Sequence, residues 1–197
     1  NIWVLFMKTY NNLYKKVCSY ENLELAFNKA RKRKTRKAYV IEFEKDLKNN
    51  LLQLSSELLS LSYHPKELET FVINDPKTRK ISKSDFRDRV VHHALVNVLE
   101  PIFDRTFIYD SYANRIGKGT LKALKRFDFF KRKVSKNNNG DCYVLKADIR
   151  HYFDTVDQKI LINLIKRTIK DEEVMWLIEK ILNNHKCKEE GKGMPLG

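Results

Sequence analysis

Cysteine is too scarce in this sequence to hold it together. The three present, Cys18, Cys142 and Cys187, are far apart and odd in number. They offer neither a disulfide framework nor zinc-ligand spacing, which fits a reducing, cytoplasmic setting. Glycine and proline are also few, at six and four in 197 residues, and no repeat or low-complexity tract is present. Long apolar runs are missing as well. The apolar opening, Ile2 to Met7, is too short to span a bilayer and lacks a signal peptide's small-residue cleavage site. It reads as the buried start of a helix.

Acidic residues are outnumbered, 25 against 39 lysines and arginines, for a net charge of +14. So large a surplus repels itself in a compact fold unless it meets polyanions, which points to nucleic acid and to salt-sensitive binding. A solubilising basic surface explains the composition equally well. No basic amphipathic helix dominates the chain, so a membrane partner is not expected. With 42% hydrophobic and 32% charged residues, the chain is globular, one domain or two small ones.

Residues 1 to about 35 read as helical and end in the basic cluster Arg31 to Lys37. Phe43, Leu47, Leu51, Leu54, Leu58 and Leu61 recur every three or four residues, the mark of one buried helical stripe. His64-Pro65 is expected to end that helix. Residues 68–73 and Arg79 to Ser82 read as two strands around an Asn74-Asp75-Pro76-Lys77 turn. Ser84, helped by Asp85, is a fitting N-cap for a helix to about Asp104, and another helix covers about Thr120 to Val134. Asn137 to Gly140 is a turn before a strand at Cys142 to Ile149. Two helices follow, roughly 158–169 and 172–183, capped by Asp157 and Asp171.

The chemistry concentrates at Asp148. An Asp at a strand end is often only a helix cap, and capping is the better account of Asp154 and Asp157. Asp148 differs, with apolar Ala147 and Ile149 on either side and Phe153 five positions on. A carboxylate so placed suits a two-magnesium nucleotidyl transfer, in which one ion activates a primer 3′-hydroxyl and the other clamps a triphosphate. Ile149 could add its backbone carbonyl as a ligand.

The stretch Asp148 to Asp157 resembles the first catalytic motif of reverse transcriptases of the group II intron and diversity-generating retroelement type. Arg79 to Ser82 with Phe86 to Leu95, and Asp110 to Thr120, resemble the same family's fingers, so the similarity covers about residues 45 to 197. The resemblance implies an α+β fold: a mostly helical right-hand polymerase fingers region with a β-hairpin, and an incomplete palm. The expected segments are an N-terminal helical extension (1–40), a fingers-like region (41–140) and the first part of the palm (141–197). The first residue is Asn1 and the second acidic motif is missing, so a chain clipped at both ends and inactive by itself is expected.

The resemblance also implies roles. Asp148 is the catalytic carboxylate and, with Ile149, a magnesium ligand; manganese could substitute. Lys77 and Arg79 match the hairpin that reaches the triphosphate, Arg79 being suited to bidentate phosphate contacts. His151, Tyr152 and Phe153 line the nucleotide site, Phe153 as a steric gate against a 2′-hydroxyl. Leu196 and Gly197 match the nucleotide-pocket motif, with Leu196 where many relatives have Gln. Such an apolar residue occurs in diversity-generating retroelements and should loosen base discrimination. Gln158 stands where relatives usually have histidine, and little consequence is expected. Arg115 and Lys118 match a template- or phosphate-facing loop, and Arg89 is expected to pair with a carboxylate or a helix end. The implied partners are an RNA template, a DNA or RNA primer and dNTPs, with room for an accessory protein. A non-catalytic, maturase-like RNA-binding protein is the alternative. A metal-dependent nuclease ranks last, since no second acidic cluster is present.

Overall fold

The computed structural model describes residues 8–76, 78–185 and 189–194. The chain divides into two compact units, one of residues 1–99 with 151–197 and the other of residues 100–150.

The first unit opens with α1 (Tyr14–Cys18) and α2 (Tyr20–Arg31), followed by α3 (Ala38–Lys45) and α4 (Leu47–Leu59). The leucine stripe is thus two helices. Asp46 leaves the helical region (φ −129°, ψ 49°), and the Asn50 side chain donates to the orphaned Phe43 carbonyl. Leu51, Leu54 and Leu58 are fully buried, with Val17, Leu23, Phe27 and Val40 beside them. α4 stops at Leu59, ahead of His64-Pro65. Leu61 adopts a left-handed conformation (φ 55°), and its N–H and that of Ser62 donate to the Leu58 and Glu57 carbonyls. That turn closes the helix before the proline is reached.

Strands β1 (Glu69–Ile73) and β2 (Arg79–Lys83) form an antiparallel hairpin, with Thr70 opposite Ser82 and Ile73 opposite Arg79. Helix α5 (Phe86–Phe103) is capped by Asp85 rather than Ser84, because the Asp85 carboxylate accepts from the Arg87 N–H at 3.0 Å. Asp88 on α5 is buried. It accepts from the Tyr63 hydroxyl (2.8 Å) and the Lys66 N–H (2.9 Å), which latches residues 63–66 to the helix. Arg89 pairs with no carboxylate among the described residues; its guanidinium lies over the rings of Tyr39 and Phe86 instead.

After α7 (Tyr152–Thr155), helices α8 (Gln158–Thr168) and α9 (Glu172–Asn183) start from Asp157 and Asp171, whose carboxylates accept from the Ile160 and Val174 N–H groups. Asp171 also accepts from the Leu13 and Tyr14 N–H groups (2.6 and 3.0 Å), which ties α9 to α1. Ile2 to Met7 lie outside the described residues.

In the second unit the one long helix is α6 (Thr120–Val134). Among residues 100–150 only Ile102 and Ser135 are buried. The expected strand at Cys142 to Ile149 is not formed: these residues carry no ladder, and Tyr143 and Leu145 are 95% and 92% exposed. A strand needs a partner for its backbone groups, and the one sheet among the described residues is the hairpin. A mostly helical chain with a two-stranded hairpin is the architecture expected of polymerase fingers. No helix among the described residues is long and apolar enough to cross a membrane.

Candidate functional site

The motif carrying Phe153 is built on α7. His151 sits just ahead of it in a left-handed conformation (φ 52°, ψ 34°), and its carbonyl accepts from the Asp154 and Thr155 N–H groups. Its Nδ1 is 3.6 Å from an Asp154 carboxylate oxygen. Tyr152 and Phe153 meet edge to face, centroids 5.3 Å apart, and both rings stay close to half exposed. Neither is a core aromatic.

Residues 191–194 run back along this motif. The Met194 N–H donates to the Phe153 carbonyl and the Gly193 N–H to the Val156 carbonyl, both at 2.7 Å, and Asp157 and Lys192 form an antiparallel bridge. Gln158 joins in, its backbone N–H donating to the Gly191 carbonyl and its side-chain Nε2 to the Gly193 carbonyl. Its side chain is buried. A polar side chain at the first position of an amphipathic helix gives no sequence signal of that burial.

Asp148 and Ile149 are exposed on the irregular segment that ends the second unit. They contribute a carboxylate and a carbonyl, the hard oxygen donors that magnesium takes. Among the described residues no group of three His, Cys, Asp or Glu side chains is gathered to complete a metal site. Arg79 is exposed at the start of β2. Lys77, Leu196 and Gly197 lie outside the described residues.

The loop before α6 and the helix itself form a basic, aromatic surface within the second unit. Arg115 is held inside the loop: its Nε donates to the Asp104 carboxylate (2.6 Å), and its other nitrogens to the Ile108, Ser111 and Asp104 carbonyls. That hydrogen bond and charge hold the Asp104 carboxyl below the usual range. Lys118 donates to the Tyr109 carbonyl (2.6 Å) and lies 3.8 Å from the Tyr109 ring centroid. Arg126 pairs with Asp110 (2.8 Å), lowering that carboxyl too, and packs on the Phe130 ring at 4.4 Å. Lys118 and Arg126 edge an open cleft of about 400 Å³ that Tyr109, Tyr112, Lys122, Lys125 and Phe129 also line. Gly117 and Gly119 have φ of +73° and +90°, and open space surrounds the position of a Cβ on each. Glycine serves there for the left-handed turn.

Cation and ring side by side suit nucleic acid, the cations for phosphate and the rings for base faces. Sequence reasoning found Arg115 and Lys118 but missed Tyr109, Lys122, Lys125 and Phe129. The usable signal was the spacing of Lys122, Lys125 and Phe129, three and four residues apart, which lines them along one face of α6.

Comparison with known proteins bears on the whole arrangement. The family model for reverse transcriptase (RNA-dependent DNA polymerase) matches residues 72–197. Nuclear intron maturase 1, mitochondrial, of Arabidopsis thaliana is 32% identical over 109 residues, covering 54% of this chain and 14% of that protein. The group II intron-encoded protein LtrA of Lactococcus lactis subsp. cremoris is 28% identical over 61% of this chain and 20% of its own length. Protein YkfC of Escherichia coli (strain K12) is 29% identical over 66% of this chain and 34% of its own. The chain thus spans about a third or less of the length of these relatives. Among solved structures, a chain of a partial Cas6-RT-Cas1–Cas2 complex is similar in fold, with a TM-score of 0.56 and 21% identity over 92% of this chain and 31% of that one.

Proposed function

Because this chain belongs to the reverse transcriptase family, we propose that it forms the fingers and first palm portion of a group II intron-type RNA-directed DNA polymerase. The polymerase extends a DNA or RNA primer on an RNA template by transfer from dNTPs. The observation that carries this reading is the family match over 72–197, within which Arg79, Asp148 and Phe153 all fall.

Each residue has a task that its surroundings allow. Arg79, exposed on the hairpin, can meet a triphosphate with a planar guanidinium, and Lys77 adds charge nearby in sequence. The half-exposed Phe153 ring is free to lie under the sugar and exclude a 2′-hydroxyl, with His151 and Tyr152 beside it in the nucleotide site. Lys118, Lys122 and Lys125 grip template phosphates, while Arg115 shapes the loop that presents Lys118. Asp148 and the Ile149 carbonyl would hold a divalent cation. Magnesium or manganese, when bound, supplies the charge that activates the primer hydroxyl and neutralises the triphosphate. The complexes named for the structural neighbour make an accessory protein part of the same proposal.

The test is templated dNTP incorporation by the full-length protein on an RNA template. Asp148→Ala is expected to abolish incorporation and leave RNA affinity unchanged, because RNA binding needs no metal-ligating carboxylate. Incorporation that survives the substitution would overturn the assignment. A wild-type protein that binds RNA without incorporating dNTPs would favour the maturase-like alternative.

A further inference from the structure

Gln158 is a buried polar side chain to which the proposed chemistry gives no task. It is only 8% exposed, and its Nε2 donates to the Gly193 carbonyl at 2.9 Å. Gly193 is confined from the other side. Its φ is +92°, and a Cβ there would lie 3.3 Å from the carbonyl oxygens of both Phe153 and Asp154. Residues 191–194 are therefore pinned between the end of α7 and the start of α8.

The backbone bonds alone leave the register open, since any extended segment could offer N–H groups to the Phe153 and Val156 carbonyls. Gln158 removes that freedom. Its position is set by α8, whose N-terminus the Asp157 carboxylate caps at 2.9 Å, and its side chain reaches one particular carbonyl. With Gly193 fixed, the Met194 N–H meets the carbonyl of Phe153 itself.

We infer that Gln158 is a positioning residue for dNTP selection: by holding Gly193 it keeps residues 191–194 against the Phe153 and Asp154 carbonyls and so fixes the turn that carries the Phe153 ring. The inference rests on the proposed role of Phe153 in seating the dNTP. Gln158 touches no substrate; it acts through Phe153, which does.

The test compares Gln158→Ala, Gln158→Glu and Gln158→His in the full-length protein. Hydrogen exchange at the Gly193 and Met194 amides is measured beside steady-state kinetics with dNTPs and rNTPs. In the Ala variant both amides should exchange faster, and KM for dNTP should rise about 2- to 10-fold, the weight of one hydrogen bond. kcat and template affinity should hold, and the preference for dNTP over rNTP should fall. Glu keeps the shape of Gln, but a carboxylate cannot donate to a carbonyl, so it should behave like Ala. His retains an N–H donor and should restore the wild-type values. Unchanged amide exchange in Gln158→Ala would overturn the clasp. Faster exchange with wild-type KM and selectivity would reduce it to a purely structural link. A wild-type protein that incorporates no dNTP would overturn the polymerase reading instead, with the exchange measurement still reporting on the clasp.

Discussion

Helices α4 and α9 bury their apolar faces, whereas α6, equally amphipathic in sequence, buries none of its residues. On α4, Leu51, Leu54 and Leu58 are sealed; on α6, Leu121, Leu124 and Phe127 remain half exposed or more. The difference lies in what surrounds each stripe. Around α4, the α2 face and the Tyr14 hydroxyl, which donates to the Leu58 carbonyl, leave no room for water. Along α6 the neighbours are cations: Arg126 lies over Phe129 and Phe130, and Lys118 over Tyr109. Periodicity identifies a helix and its stripe, and it does not say what covers the stripe. In this chain one region is built as a core, and the other keeps rings and charges together at the surface.

Stability should expose that contrast most strongly. Leu58→Ala is expected to cost about 2–5 kcal/mol, the range for emptying a sealed leucine site. Leu124→Ala, the same change on α6, should stay within about 0.5 kcal/mol, as at other exposed positions. Urea unfolding of the two variants measures both, and equal losses would erase the distinction. A second difference appears with pH. Burial, with His93 and Arg89 adding to it, pushes His92 on α5 down from 6.5 to about 4. Between those two values the unfolded chain takes up a proton that the fold refuses. Stability is therefore fully kept above pH 6.5 and falls as pH drops towards 4, by on the order of 2 kcal/mol for a half-buried group. Burial raises the Asp88 carboxyl and so works the other way, favouring the fold at low pH. Thermal melts of wild type and His92→Leu across the window isolate the histidine, whose replacement should flatten the curve.

The same contrast separates what could be read from the sequence and what could not. Local signals were legible wherever a single residue and its neighbours decide the outcome. Asp157 and Asp171 cap the helices expected of them, the hairpin pairs over the expected residues, and α6 runs from Thr120 to Val134. Outcomes set by distant partners were not. The Cys142 to Ile149 segment has strand composition but finds no strand to join among the described residues. Arg89 finds aromatic faces where a carboxylate or a helix end was expected, and Gln158 finds a carbonyl 35 residues away. The leucine stripe was correct about burial at Leu51, Leu54 and Leu58, but Leu61 lies exposed past the end of α4, and the stripe is not continuous, because Asp46 and Asn50 satisfy a break that periodicity cannot see.

If the exposed region grips nucleic acid, removing its charges should weaken binding without touching the fold. Lys122→Ala with Lys125→Ala is expected to lower RNA affinity and to flatten its salt dependence. The log–log slope should fall by about 0.7–0.9 for each phosphate that the protein no longer neutralises. The effect should be the same for every template sequence, since phosphate contacts do not read bases. Binding titrations at several salt concentrations measure it, and an unchanged slope would remove these lysines from the interface.

The packed region should instead affect selection, and Leu196 offers the finest probe of that. The clasp that ends at Met194 leads in sequence directly to Pro195-Leu196-Gly197. An apolar side chain at 196 has no hydrogen bond to offer an incoming base or its surroundings, and a site lacking polar contacts discriminates weakly. Leu196→Gln restores the residue that many reverse transcriptases carry there. In the full-length protein it should cut misincorporation about 3- to 10-fold, the scale of a single hydrogen bond. RNA affinity and its salt dependence should not move, because the phosphate-binding lysines are untouched. Sequencing of products made on a defined RNA template gives the error rate. If Leu196→Gln altered affinity while the lysine substitutions altered selection, the division between a gripping surface and a selecting one would have to be reversed.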